Sequence, residues 1–217
     1  MGKHNGHPKA ITQVAIDMGS AYQKGVRNNL GNARIVFDKY HVVALVNAAV
    51  DKVRRIEARE GTPAVKEQLK GNHWIFRKNP EKLSDKEQAR LKDLDLKNLA
   101  TGVACQTRLN LQQAYRCRTA ETARKRLSDW SRWVKRKAEK LGAVLEPMVR
   151  VAKTVENQIE GILAHWKKGL TTAYLEGLNS VFSAVKRKAR GYRSTDNMIT
   201  MLYFVADNLS IPYLYTR

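Results

Sequence analysis

Two short β-rich runs near the start of the numbering, each finishing on an aspartate, constrain the fold more than any other feature of the chain. Ala10-Ile11-Thr12-Gln13-Val14-Ala15-Ile16 stops at Asp17, and Ala33-Arg34-Ile35-Val36-Phe37 stops at Asp38; both are bounded by Gly, Asn or Pro. Ser20 to Asn29 between them suits one short helix, so the unit reads strand, helix, strand. That alternation belongs to a parallel α/β sheet.

From His41 onward the periodicity is helical almost throughout. Val42, Val46, Ala49, Val53 and Ile56 step by three and four along one face, with Lys52, Arg54, Arg55 and Arg59 projecting elsewhere, and Gly61-Thr62-Pro63 ends that helix. Gly71 to Pro80 reads as irregular or extended, after which Ser84-Asp85-Lys86-Glu87 has capping-box spacing. A helical segment is expected between Leu96 and Arg116. Leu127, Trp130, Val134, Ala138 and Leu141 form the next stripe, stopped by Gly142. Pro147 fits a first helical turn, and Val151, Val155, Ile159, Ile162 and Trp166 predict one long amphipathic helix broken at Gly169. A final pair is expected, from Tyr174 to about Arg190, closed by Gly191, and from about Thr195 to Leu209.

Charge narrows the partners. Forty Lys+Arg against twenty Asp+Glu give a formal charge of +20, a field that draws polyanions, so nucleic acid is the first partner to consider. A basic ribosomal-type protein or a basic housekeeping fold has the same signature. The 43% hydrophobic content is enough to fill a core in a chain of this length. Cys105 and Cys117 lie in a polar, helical stretch with no CxxC and no His pair beside them, which reads as reduced thiols in a cytoplasmic protein rather than a zinc site. No apolar run of membrane-spanning length and no secretion signal is present, so membrane partners are not expected.

The strand-ending aspartates each fit two roles. Ligand sites in open α/β sheets lie outside the carboxyl ends of the strands, which places Asp17 and Asp38 well for catalysis; an aspartate before a helix is equally a cap or turn residue. Local sequence does not choose between them. Glu176 has the same ambiguity. Tyr174, Leu178, Val181, Phe182, Val185 and Ala189 make an apolar helix face, and Glu176 opens the polar one that continues through Asn179, Ser180, Ser183, Arg187 and Arg190. A glutamate near a helix start also simply complements the helix dipole.

Taken in order, Ile16-Asp17-Met18, Ala21-Tyr22, Ile35-Val36-Phe37-Asp38-Lys39-Tyr40-His41-Val42-Val43, Leu175-Glu176-Gly177-Leu178-Asn179 and Val185-Lys186-Arg187-Lys188-Ala189-Arg190-Gly191-Tyr192 resemble the DDE transposases of bacterial insertion sequences. The closer resemblance is to the ISL-three group, in which a DxxH motif, here Asp38 to His41, lies between the second carboxylate and the final glutamate. Lys70-Gly71-Asn72-His73-Trp74, with Asn79 and Leu83, also looks like that group's insertion. The resemblance runs from about Ile11 to Asn208.

What it implies is an α/β, predominantly helical chain: a partial ribonuclease-H-like fold with an incomplete parallel sheet, interrupted by a long all-α insertion. Residues 10–41 would be the strand-helix-strand part of the core, 42–169 the insertion, and 170–209 the core's C-terminal helices. Asp17 and Glu176 match the second and third catalytic carboxylates, which in the family hold Mg2+ or Mn2+ in a two-metal site; two hard cations neutralise the charge that phosphodiester displacement builds on oxygen. Asp38 and His41 are either a structural pair or a support for the metal site and DNA. The family's first aspartate belongs to a strand upstream of Asp17, where this sequence has no acidic residue. The expectation is therefore a truncated copy or fragment, with little or no transposition by this chain alone and an open sheet edge that favours pairing with another chain.

Two basic regions suit DNA. One surrounds Trp130 and Trp133 and includes Arg132, Lys135 and Arg136; the other holds Lys186, Arg187, Lys188, Arg190 and Arg193. Trp130 lies on the apolar stripe and reads as core. The partners implied are transposon ends, target DNA, and a second copy or a full-length transposase, in the bacterial cytoplasm at the nucleoid. The competing reading is a non-catalytic nucleic-acid-binding protein that regulates a full-length transposase; a third, a resolvase-like nuclease, fits the long helical insertion less well.

Overall fold

The computed structural model describes residues 7–94, 96, 98–166, 172–189, 191–192 and 194–206, with the backbone alone for 172–179. Strand β1 (Gln13–Ile16) leads into helix α1 (Ser20–Asn29), which returns the chain to strand β2 (Arg34–Phe37). The strands are parallel, with Gln13 opposite Arg34 and Ile16 opposite Phe37. The run expected to start at Ala10 begins as strand only at Gln13. Pro8 cannot donate to a ladder, and residues Pro8–Ala10 form a 3-10 turn instead.

Helices fill the rest: α2 (Lys39–Glu60), α3 (Pro63–Leu69), α4 (Asp85–Lys92), α5 (Ala100–Ala114), α6 (Ala120–Leu141), α7 (Glu146–Asn157), α8 (Ile159–Leu163), α9 (Thr172–Lys188) and α10 (Thr195–Ala206). Their ends follow local chemistry. Thr62 accepts from Val65 N–H with Pro63 in the first turn of α3, Thr119 caps α6, and Ser84 and Glu87 exchange both bonds of the expected capping box. Gly142 ends α6 at φ 74°, a left-handed conformation that glycine adopts without penalty.

Helices α2, α5, α6 and α7 close a ring, each packing on the next, α2 against both α5 and α7. Of the expected stripe of α2, Val42, Val46, Ala49 and Val53 are at most 3% exposed and Ile56 is partly buried; Val50, outside that stripe, is buried with them. Leu111, Ala114, Leu127, Val134, Met148, Ala152 and Val155 complete the core from the other three helices. A buried leucine or valine here contributes about 1.5–3 kcal/mol by leaving water.

The single long helix expected from Pro147 to Trp166 is instead broken after Asn157. Gln158 leaves the helical region (φ −110°, ψ 16°), and α8 and a 3-10 turn, Ala164–Trp166, follow. The cause is tertiary. Helix α8 packs on β2 so closely that a Cβ on Gly161 would sit 2.4 Å from the Phe37 ring. Phe37 is sealed to 2% exposure beneath it.

The chain divides into two compact units, residues 1–168 and 169–217. Within the second, α9 packs against α10. The expected continuation of the last helix to Leu209 lies outside the described residues.

Candidate functional site

The carboxyl ends of β1 and β2 place Asp17 and Asp38 on the same edge of the sheet, one residue beyond each strand. Asp17 is half-buried, and its Oδ1 accepts the Gly19 amide at 2.7 Å. Gly19, not Asp17, is the residue that precedes α1, so the aspartate forms a tight turn rather than a helix cap. Its second oxygen has no partner among the described residues. A Cβ on Gly19 would lie 2.8 Å from that Oδ1, so glycine is the residue that lets the amide approach.

Asp38 takes the cap. Its Oδ1 accepts from Tyr40 N–H at 3.0 Å at the start of α2, and its Oδ2 lies 3.8 Å from His41 Nε2, near enough for attraction but beyond a hydrogen bond. The two side chains are 23% and 53% exposed, so the pair faces solvent.

Around Asp38 stands a cluster that sequence periodicity did not reveal. Tyr115, at the end of α5, stacks on Trp166 with centroids 5.5 Å apart; His165 meets both rings edge-on, and Lys39 Nζ lies 5.5 Å from the Tyr115 centroid. Trp166 Nε1 donates to the Cys117 carbonyl. Burial, reinforced by the Asp38 charge, raises the Tyr115 hydroxyl, while burial and Lys39 lower His165 against the opposing pull of Asp38. His165 is therefore held toward its neutral form. The available signal was the spacing of Trp166 and His165 just before a glycine break, which periodicity alone assigns to a helix face.

Two further charged groups lie in the body of the unit. Glu57, in the last turn of α2, accepts from Ala100 N–H (2.6 Å), Thr101 N–H (2.7 Å) and the Thr101 hydroxyl (2.6 Å), and so caps the start of α5 from another helix. Arg108, 2% exposed, donates to the carbonyls of Arg77 (2.8 Å) and Lys78 (2.7 Å) and to Asn79 Oδ1 (3.0 Å), fixing the irregular segment beneath which it lies. Burial lowers its pKa.

The basic residues expected to meet DNA are placed unevenly. On α6, Arg132 is exposed and pairs with Asp129, Lys135 binds both oxygens of Glu156 at 2.8 Å, and Arg136 is exposed with no ion pair among the described residues. Trp130 is core, 4% exposed, and donates to the Thr107 carbonyl; Trp133 is half-buried with Lys137 Nζ 5.4 Å from its ring centroid. Lys186, Arg187 and Lys188 are exposed in the last turn of α9. Arg190 and Arg193 lie outside the described residues. Glu176 falls within α9, and its side chain lies outside them as well.

Among the described residues no group of three His, Cys, Asp or Glu side chains comes together to hold a metal ion, and no helix is long and apolar enough to cross a membrane. Cys105 and Cys117 are free; burial pushes the Cys105 thiol up to about 12.

The first unit thus joins a parallel β-α-β element with strand-end carboxylates to a large helical body. The model of the ISL3-type DDE family, described as transposase, covers residues 1–202, and the chain belongs to that family. Among curated proteins, the transposase for insertion sequence element IS1001 of Bordetella parapertussis is 30% identical over 195 residues, 88% of this chain and 46% of that protein. The chain thus spans about half the length of the curated relative it matches. No solved structure matches it significantly.

Proposed function

We propose that these residues form the part of an insertion-sequence transposase that carries its second and third catalytic carboxylates, Asp17 and Glu176, and that the intact enzyme uses them for metal-dependent cleavage and transfer of DNA strands. The observation that carries the reading is Asp17, at the carboxyl end of a parallel strand with one oxygen tied to a backbone amide and the other without a partner among the described residues. A turn residue needs only the first oxygen.

The donor set suits Mg2+ or Mn2+, which take oxygen ligands. Asp17 would supply one carboxylate and Glu176 another; Asp38, with Oδ1 committed to the helix cap, stands at the end of the neighbouring strand. The ions would activate the attacking oxygen and neutralise the leaving one. Asp17 would be a ligand. Asp38 would orient His41 and add negative potential beside the site, and His41, more than half exposed, would reach DNA rather than act as a base. In this reading residues 10–41 and 170–209 belong to a ribonuclease-H-like core and 42–169 are inserted in it, with the first carboxylate on a strand paired to the outer edge of β1.

DNA would be held by phosphate contacts from Arg132, Lys135, Arg136, Lys186, Arg187 and Lys188, together with Arg190 and Arg193. On α6 the exposed Arg136, with no ion pair among the described residues, is favoured over Lys135, which would first have to leave Glu156. The partners would be transposon ends, target DNA and a second copy or full-length transposase, at the bacterial nucleoid.

Manganese-dependent cleavage of supercoiled DNA, run with Mn2+ binding and DNA binding on the same preparations, tests this. The 217-residue chain is expected to bind DNA in a salt-sensitive manner and to cleave it little. Asp17→Asn and Glu176→Gln should each weaken Mn2+ binding and leave DNA affinity unchanged or slightly higher. Mn2+ binding indifferent to both substitutions would sink the catalytic reading and favour a non-catalytic DNA-binding regulator.

A further inference from the structure

Of the four tryptophans, two spend their indole N–H on a backbone carbonyl inside the fold, Trp130 on Thr107 and Trp166 on Cys117, and Trp133 packs half-buried against the core. Trp74 does none of these. It is 64% exposed, the most exposed large apolar side chain among the described residues. Leaving an indole in water sacrifices the burial that the other three obtain.

The segment that carries Trp74 is not loose. Ile75 and Phe76, the next two residues, are 7% and 2% exposed and anchor it in the core. Asn72 is 2% exposed and donates to the Gln68 carbonyl at 2.6 Å; Gly71 turns the chain at φ 70°; and the buried Arg108 holds the carbonyls of Arg77 and Lys78. A segment pinned on both sides of an outward tryptophan holds the backbone from which that ring projects.

The ring's surroundings are cationic. The Arg77 guanidinium lies 5.5 Å from the Trp74 centroid, and His73 meets the ring edge-on at 4.7 Å. Arg54 and Arg55 stand on the neighbouring stretch of α2, where Asp51 pairs with both and approaches His73 at 3.6 Å. Asp51 is the one carboxylate in this group, against three arginines. Its burial would raise its pKa, but the Arg54 hydrogen bond and the charges of Arg54, Arg55 and His73 outweigh that and hold it below the usual range, so it stays ionised and organises the arginines. An exposed aromatic face beside guanidinium groups is the chemistry that takes an unpaired nucleobase: the ring stacks on the base and the cations take the adjoining phosphates.

We infer that Trp74, with Arg77 beside it, is a stacking site for an unpaired base of single-stranded or frayed DNA, separate from the strand-end carboxylates. The inference rests on the DNA-binding reading above and adds strand selectivity to it. Along α2, the thirteen positions from Asp38 to Asp51 span about 20 Å at 1.5 Å per residue. A strand engaged at both places would therefore extend across several nucleotides.

The test compares the 217-residue chain with Trp74→Ala and Trp74→Phe, measuring affinity for one short oligonucleotide as a single strand and as its duplex over a range of salt. Trp74→Ala should weaken single-strand binding by between about 5-fold and 150-fold while leaving duplex affinity and both salt slopes in place. Trp74→Phe, which keeps an aromatic face, should recover part of the loss. Single-strand binding unaffected by Trp74→Ala, or single strand and duplex weakened equally, overturns the stacking site and leaves the phosphate-driven reading standing. Wild-type chain that binds neither DNA overturns both. A change in oligomeric state on Trp74→Ala with unchanged DNA affinity would make the ring a protein contact and reject the inference.

Discussion

Glu57 and Asp17 are both carboxylates at the ends of regular elements, yet the fold uses them in opposite ways. Glu57 accepts three short bonds from two residues of α5, which occupy both its oxygens. Among the described residues Asp17 accepts one, from Gly19, and Asp38 one, from Tyr40. A carboxylate whose lone pairs are filled by the protein holds structure together; one that keeps an oxygen open at a strand end can still take a ligand. The difference separates a carboxylate tied into the helical body from two at the strand ends, and it is a difference of bonding rather than of residue type.

Substitutions should break that comparison cleanly. The largest effect is expected at Glu57→Ala, a loss of about 3 kcal/mol or more, because charge-assisted bonds contribute about 1.5–3 kcal/mol each and the start of α5 is left without acceptors; urea unfolding measures it. Gly161→Ala should cost about 1–3 kcal/mol by overpacking against Phe37, and Phe37→Leu in the same chain should return part of it. At the rim, Asp38→Ala should lose about 1 kcal/mol as a missing helix cap, and Asp17→Asn less than about 0.5 kcal/mol, since asparagine keeps the acceptor for Gly19. An Asp17→Asn loss as large as that of Glu57→Ala would erase the distinction.

The smallest effect is one of pH. His165 is held below its ordinary 6.5, chiefly by burial, so the folded state binds its proton less readily than the unfolded chain. Its contribution is complete above that value and is lost as pH falls from about 6.5 through the lowered pKa. A urea midpoint series from neutral to mildly acidic pH should decline, and the decline should flatten in His165→Gln. An unchanged slope in that variant would remove His165 from the account.

Much of this was legible in the sequence because it is local. The capping box at Ser84 and Glu87, the crossover helix from Ser20 to Asn29, and the buried stripe of α2 depend on neighbours three or four residues away. What could not be read depends on distant partners. The break at Gln158 follows from Phe37 pressing on Gly161, and Arg108 is buried because carbonyls some thirty residues earlier receive it. Glu57 did leave a trace: an acidic residue in the last turn of a helix opposes the dipole, which calls for a donor elsewhere. Arg108 left another, a charge at the spacing of a buried α5 stripe. Asp17 was visible as a candidate from the strand it ends, but the partner of its turn, the Gly19 amide, was not.

Glu57 also ties α2 to α5 across a sequence separation of 43 that contains α3 and α4. Both ends of that excursion are therefore held by the helical body itself and not by the peptide chain between them. A protease that cut within the exposed surface of α4 would sever the sequence without parting the two pieces, and the nicked protein would migrate as one species until denaturant released the clamp.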